Sequence, residues 1–125
     1  MKRIAQALLA LPLIAAAPPP VATLGTYDVP QDKGDQQVIV QSRVFDPGSE
    51  SGWHVHPGVE MAWVISGEVE IATAGGVRHL LPGDSFIMPR GTAHNGINQG
   101  KEPARIAITL VVDKGAPPRQ SVSAP

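Results

Sequence analysis

The sequence predicts an all-β domain, an antiparallel sandwich or barrel, on three observations. Short apolar or β-branched stretches recur at even spacing from residue 36 to residue 112. Thirteen Gly and thirteen Pro punctuate them, and aromatic residues make up only 4% of the chain, a composition of many short elements joined by tight turns. No helix longer than one turn is predicted inside the domain. With 125 residues, 42% of them apolar and 17% charged, there is room for one core and none for a second domain.

Residues 1–22, MKRIAQALLALPLIAAAPPPVA, begin with Lys2 and Arg3, continue through an apolar run from Ile4 to Ala17 and contain no acid. This reads as a secretory signal peptide, since a spanning helix needs about 20 apolar residues. Cleavage is expected near Ala15-Ala16-Ala17 or after Ala22, and the position stays open because Pro18 is a poor residue directly after a cut. The expected destination is the periplasm or the exterior, with no membrane attachment after cleavage. The chain has no Cys, so in that oxidising setting stability falls to core, sheet and metal.

The formal charge is −1, and removal of Lys2 and Arg3 leaves 8 basic against 11 acidic residues, about −3. Without a basic stripe or cluster, nucleic acid is not an expected partner.

Residues 23–34 mix turn formers with few apolar positions and are expected to wrap the domain edge. The domain proper is placed at 35–113. Its first strand, 36–45, has Val38, Val40 and Val44 on one face and Ile39, Gln41, Arg43 and Phe45 on the other, and the valine face is expected to point inward. Asp46-Pro47-Gly48 then turns the chain. Strands follow at 53–56, 60–66, 69–74 and 77–81, separated by Pro57-Gly58, Gly67-Glu68 and Gly75-Gly76, the last a two-residue hairpin signal. Strands at 85–89, 93–99 and 105–112 complete the set. Residues 114–125, KGAPPRQSVSAP, lack apolar periodicity and are expected to form a flexible tail.

Within this frame His54 and His56 lie two residues apart. On an extended strand both rings leave the same face, roughly 6.5 to 7 Å apart along the chain, and grip one ion from one side. A reversal at Pro57-Gly58 brings the Glu60 carboxylate back beside them. His94, 34 residues after Glu60, reaches the same point only if a separate strand is laid alongside, and the ion would then staple two hairpins.

These residues fall into two spaced motifs. The first reads Gly48, His54, His56, Glu60, Gly67; the second reads Gly83, Pro89, Gly91, His94, Asn98. In spacing and residue type the pair resembles the cupin superfamily, and the 15 residues between Gly67 and Gly83 suit its small single-domain bacterial members of the type-2, quercetin-dioxygenase-like kind. The resemblance implies a jelly roll, the antiparallel double-stranded β-helix, and a divalent metal held by His54, His56, Glu60 and His94. It also implies a homodimer and a small-molecule substrate or ligand. Glu60 is the ligand for which a second role, as a base, stays open. Gly48, Gly67, Gly83 and Gly91 are expected to supply turn conformations, Asn98 a local hydrogen bond, and His79 a surface position.

Three imidazoles and a carboxylate, with no thiolate in the chain, favour iron, manganese, nickel, copper(II) or zinc and leave one or two coordination positions for water or a bidentate substrate. Such an ion activates dioxygen or an enolate, acts as a Lewis acid, or lowers the pKa of bound water. Two readings follow: a metal-dependent enzyme, dioxygenase-like or isomerase/decarboxylase-like, on a small oxygenated compound; or a non-catalytic periplasmic protein that holds a structural metal or a small ligand. No inward Tyr, Lys, Asp or second Glu stands out as a further acid or base. Alternation from Glu60 sends Ala62 and Val64 inward and Met61 and Trp63 outward, and an outward Trp suggests a dimer face.

Overall fold

Every second residue of the stretch from Ala104 to Val112 is apolar and buried, and this strand is the spine on which the fold is assembled. The computed structural model describes residues 34–125; the expectations for residues 1–22 and for residues 23–33 lie outside them. The strands are β1 (Gln36–Phe45), β2 (His54–Val55), β3 (Gly58–Ser66), β4 (Val69–Thr73), β5 (Gly76–Leu80), β6 (Ser85–Met88), β7 (His94–Ile97), β8 (Ala104–Asp113) and β9 (Gln120–Ser121). They form two antiparallel sheets, a four-stranded one in the order β1-β8-β3-β6 and a five-stranded one in the order β5-β4-β7-β2-β9. No helix occurs among the described residues, and the jelly roll expected from the two motifs is the architecture observed.

The core lies between the sheets. The first sheet contributes Phe45, Ala62, Val64, Phe86, Met88 and the inward residues of β8, and the second contributes Val69, Ile71 and Leu80. Each large apolar side chain removed from water in this way is worth on the order of 1.5–3 kcal/mol. As the alternation predicted, Ala62 and Val64 are inside while Met61 and Trp63 are outside.

The facing of β1 is the reverse of the sequence expectation. Val38, Val40 and Val44 are 64%, 76% and 52% exposed, whereas Phe45 is buried and Ile39 packs on the core. The cause is register. Phe45 pairs with Ala104, Arg43 with Ile106, Gln41 with Ile108 and Ile39 with Leu110. Residues directly opposite in an antiparallel pair share a face, so the unbroken apolar face of β8 decides which side of β1 turns inward. The inherent preference of three valines is too small to slip a ten-residue register.

Three further differences concern connections. The two-residue loop between β4 and β5 is Ala74-Gly75, with Thr73 paired to Gly76, one position earlier than predicted. Pro57-Gly58 does not form a hairpin: β2 and β3 belong to different sheets, the chain bends at Pro57, and Gly58 already pairs with Val112. Gly58 is needed for contact, because a Cβ there would lie 2.0 Å from the Val111 carbonyl oxygen. The 114–125 segment is not detached from the domain. β9 pairs with β2, with Ser121 opposite His54, and the Val122 N–H donates to the Trp53 carbonyl.

Gly48, Gly67, Gly83 and Gly91 all have φ between +71° and +93°, as turn positions require. Asn98 does more than cap its own loop. Fully buried, it donates to the carbonyls of Phe45 and Glu102 and accepts from the Gly100 N–H, tying the end of β1 to the turn before β8.

Candidate metal centre

Antiparallel pairing of β2 with β7 places His54 directly opposite His94, and their ring centroids lie 4.2 Å apart. His56, two residues along the same face, lies 4.9 Å from His54 and 5.3 Å from His94 by the same measure. Glu60 arrives from the other sheet, where β3 holds it between Met88 and Leu110, so an ion here would join the two sheets. The Gly91 N–H donates to the His56 carbonyl and fixes the second motif against the first.

The structure therefore brings all four predicted residues together. Each is buried, and their candidate ligand atoms lie within 4.8 Å of one another, close to the spacing of donors placed about 2.0–2.2 Å from one ion. The backbone sets the tautomers. Nδ1 of His54 donates to the Gly52 carbonyl at 2.7 Å, that of His56 to Pro118 at 2.6 Å, and that of His94 to Thr92 at 2.9 Å. Carbonyls only accept, so each Nδ1 carries a hydrogen and each Nε2 is left for the centre.

Around the carboxylate, Glu60 Oε2 lies 2.8 Å from His94 Nε2 and 3.1 Å from His56 Nε2. The first contact is a hydrogen bond. The second is near enough for charge attraction but misaligned, and His56 Nε2 remains a buried nitrogen without a hydrogen-bond partner. An orphaned ring nitrogen aimed at a carboxylate and two other imidazoles fits a cation between them.

Burial lowers the His54 pKa to about 4; the Gly52 carbonyl opposes this, and the charges of His94 and Arg119 add to it. Burial also works against a charge on His56, but the Glu60 carboxylate and the Pro118 carbonyl outweigh it and raise its pKa. For Glu60 burial pushes upward, yet the close His56 and His94 rings prevail and bring the carboxyl down to about 2. His54 is thus neutral and Glu60 ionised near pH 7, the forms that bind a divalent ion.

The cluster opens on a cavity of about 130 Å³. Its walls include the apolar Phe45, Ile71, Phe86 and Ile106, and Gly96, where a Cβ would come 3.1 Å from Phe45 Cζ. Arg43, Gln41, Pro118 and Arg119 also line it, and the sequence reading assigned none of them to the site. Arg43 was discoverable once β1 had its register, because it shares a face with Phe45. Arg119 and Pro118 gave no signal. His79 is exposed as expected, 3.2 Å from Glu68 and away from the centre.

Comparison with known proteins agrees with this geometry. The family model described as Cupin domain matches residues 42–113. A curated relative, oryzines biosynthesis cluster protein J of Aspergillus oryzae, is 32% identical over 75 residues, covering 60% of this chain and 42% of the relative. The chain thus spans less than half the length of that protein. Among solved structures, a conserved Klebsiella pneumoniae protein with a double-stranded β-helix domain is 35% identical with a TM-score of 0.56, over 76% of this chain and 81% of that one. Oxalate oxidase in complex with the substrate analogue glycolate is 26% identical with a TM-score of 0.60, over 68% of this chain and 46% of that one. On the match over residues 42–113 and the fold that carries it, this chain belongs to the cupin family.

Proposed function

We propose that this protein is a divalent-metal-dependent enzyme, dioxygenase-like or isomerase/decarboxylase-like, acting on a small oxygenated compound. One observation carries the reading: three Nε2 atoms and one carboxylate, fixed by backbone acceptors and by each other, converge at the wall of a cavity with room for a small molecule. The similarity to oxalate oxidase, an enzyme seen with a small oxygenated acid, supports it. When bound, iron, manganese, nickel, copper or zinc would supply Lewis-acid chemistry, or redox chemistry for those ions that cycle.

Around that ion the chain's own groups orient and exclude. The carbonyls of Gly52, Pro118 and Thr92 hold the three rings, and the apolar wall keeps bulk water from the ligand side. We assign Glu60 as a ligand and not as a base, because a carboxyl held near 2 takes up a proton poorly at neutral pH and a neighbouring cation lowers it further. Elemental analysis of the protein from its native compartment should find one divalent ion per chain. An oxygen-consumption and product screen on flavonoids, diketones and small acids should then find turnover that His54→Ala abolishes with the fold retained.

A non-catalytic role for the metal is the second reading. Its support is that among the described residues Glu60 is the only acid lining the cavity and no Lys joins it there. Loss of melting stability in His54→Ala, together with no metal-dependent conversion in the screen, would favour it.

We infer in addition that residues 1–22 direct export to the periplasm or exterior, for which processing of the leader in a fractionated cell is the test. We also infer a homodimer. Val38, Val40, Val44, Met61, Trp63 and Ile65 are exposed on the outer face of the four-stranded sheet. Its three long strands, about 4.8 Å apart and nine or ten residues long, offer roughly 500 Å² there, against the ~800 Å² each partner gives to a standard interface. A second copy presents the same patch, which two-fold pairing buries against itself.

A further inference from the structure

We propose that the cavity beside the four-residue cluster is a receptor for an anionic ligand, whose oxyanion group is read by Arg43 and Arg119 while its other end reaches the cluster. The C-terminal strand thereby becomes a binding element. This deepens the proposed function and rests on it only for the reaction; the anion site stands on its own observations.

The first observation is charge imbalance in a confined space. Among the described residues Glu60 is the only acidic one lining the cavity, and the imidazoles of His56 and His94 already engage it. Two guanidinium groups line the same cavity. Arg43 forms no hydrogen bond or ion pair with any described residue; its guanidinium carbon lies 5.5 Å from the centroid of the Phe45 ring, a cation–π contact that places the charge without neutralising it.

Among the described residues Arg119 is held only by neutral acceptors. Nη2 donates to the Ser51 carbonyl at 2.5 Å and the Gly52 carbonyl at 3.4 Å, and Nη1 donates to Ser121 Oγ at 3.2 Å. Its Nε is buried without a hydrogen-bond partner, so one N–H of a partly buried cation lacks an acceptor. Removing a guanidinium from water without a counter-ion is unfavourable, and an orphaned donor adds to the cost. An oxyanion in the cavity supplies the missing counter-charge.

The second observation is how firmly Arg119 is carried. Pro118 presents its carbonyl to His56 Nδ1, and the Ser121 and Gln120 backbone pairs with His54 and Val55. The side chain that recognises the anion and the strand that holds two candidate metal ligands are therefore one hydrogen-bonded unit. Apolar residues of the same cavity, Phe45, Ile71, Phe86 and Ile106, suit a short hydrocarbon link, as in a small carboxylic acid. A planar carboxylate and a tetrahedral phosphate share the chemistry recognised.

The test is binding to the full-length protein by calorimetry, metal-loaded and chelator-treated, with malonate, inorganic phosphate and the uncharged analogue malonamide. Malonate or phosphate should bind and malonamide should not, and the preferred anion identifies the oxyanion type. Arg43→Gln and Arg119→Gln should each weaken anion binding at least ~10-fold, with metal content unchanged and His79→Gln equal to wild type. Arg43→Gln is the decisive variant, because Arg43 supports no backbone group and its loss leaves the fold intact. Equal anion binding by wild type and Arg43→Gln, or malonamide binding as tightly as malonate, would overturn the proposal. Failure of the metal reading looks different: no metal uptake by wild type, with arginine-dependent anion binding still present in the chelator-treated protein.

Discussion

Glu60 Oε2 and His94 Nε2, 34 residues apart in sequence and on facing sheets, share a hydrogen bond of 2.8 Å in the interior. The same Oε2 lies 3.1 Å from His56 Nε2, and against the pull of burial this carboxylate raises the His56 pKa, so below neutrality that ring carries a proton on the nitrogen a metal needs. Uptake of zinc or manganese should therefore release protons, more of them at pH 6 than at pH 8. Titration calorimetry in buffers of different ionisation enthalpy measures this; a binding enthalpy independent of buffer at pH 6 would contradict it.

Acid should destabilise the metal-free protein in two overlapping steps. The His54 pKa is 6.5 when unfolded and about 4 when folded, so the unfolded state binds more protons between those values and stability falls as pH drops through them. Glu60, depressed from 4.5 to about 2, extends the loss downward. His56, whose pKa is raised, makes its contribution in full below 6.5 and adds no slope on the acid side. Denaturant midpoints measured from pH 6.5 to pH 3 should fall throughout, and His54→Gln should flatten the upper part of the curve.

Truncation after Ala116 removes β9, the Pro118 carbonyl and Arg119 together. The core strands do not depend on them, so the protein should still fold, with Tm lower by a few degrees. Metal affinity should fall about 10- to 100-fold, because His56 loses the acceptor that orients its ring. Unchanged affinity would show that the last residues do not support the centre.

Gly58→Ala should be far more damaging than Gly96→Ala. At Gly58 the added methyl meets the Val111 carbonyl at 2.0 Å and the Val112 Cα at 2.6 Å, both backbone atoms of the central strand. At Gly96 it meets the tip of the Phe45 ring at 3.1 Å, which can shift. Overpacking costs of more than ~3 kcal/mol and about 1 kcal/mol respectively are expected from denaturant unfolding.

Trp63→Glu tests the outer face. A charge placed in the middle of an apolar two-fold contact should shift sedimentation from dimer to monomer while leaving metal uptake intact, because Trp63 points away from the cluster. A monomeric wild type would dispose of the inferred dimer.

The sequence by itself determined eight of the nine strands, four of the positive-φ glycines and the four residues of the cluster, because these are local in origin. Period-two alternation selects faces, Gly-rich turns fix reversals, and His54, His56, Glu60 and His94 carry their chemistry in their identity and spacing. What it could not decide depended on partners distant in the chain. The outward valines of β1 follow from pairing with β8, the sheet change at Pro57 from where Gly58 meets Val111, and the docking of residues 118–122 from a free edge on β2. Backbone carbonyls orient all three imidazoles, and a carbonyl has no residue type to read. Only the tertiary structure could show which ones point at a ring, or that two arginines share the cavity beside them.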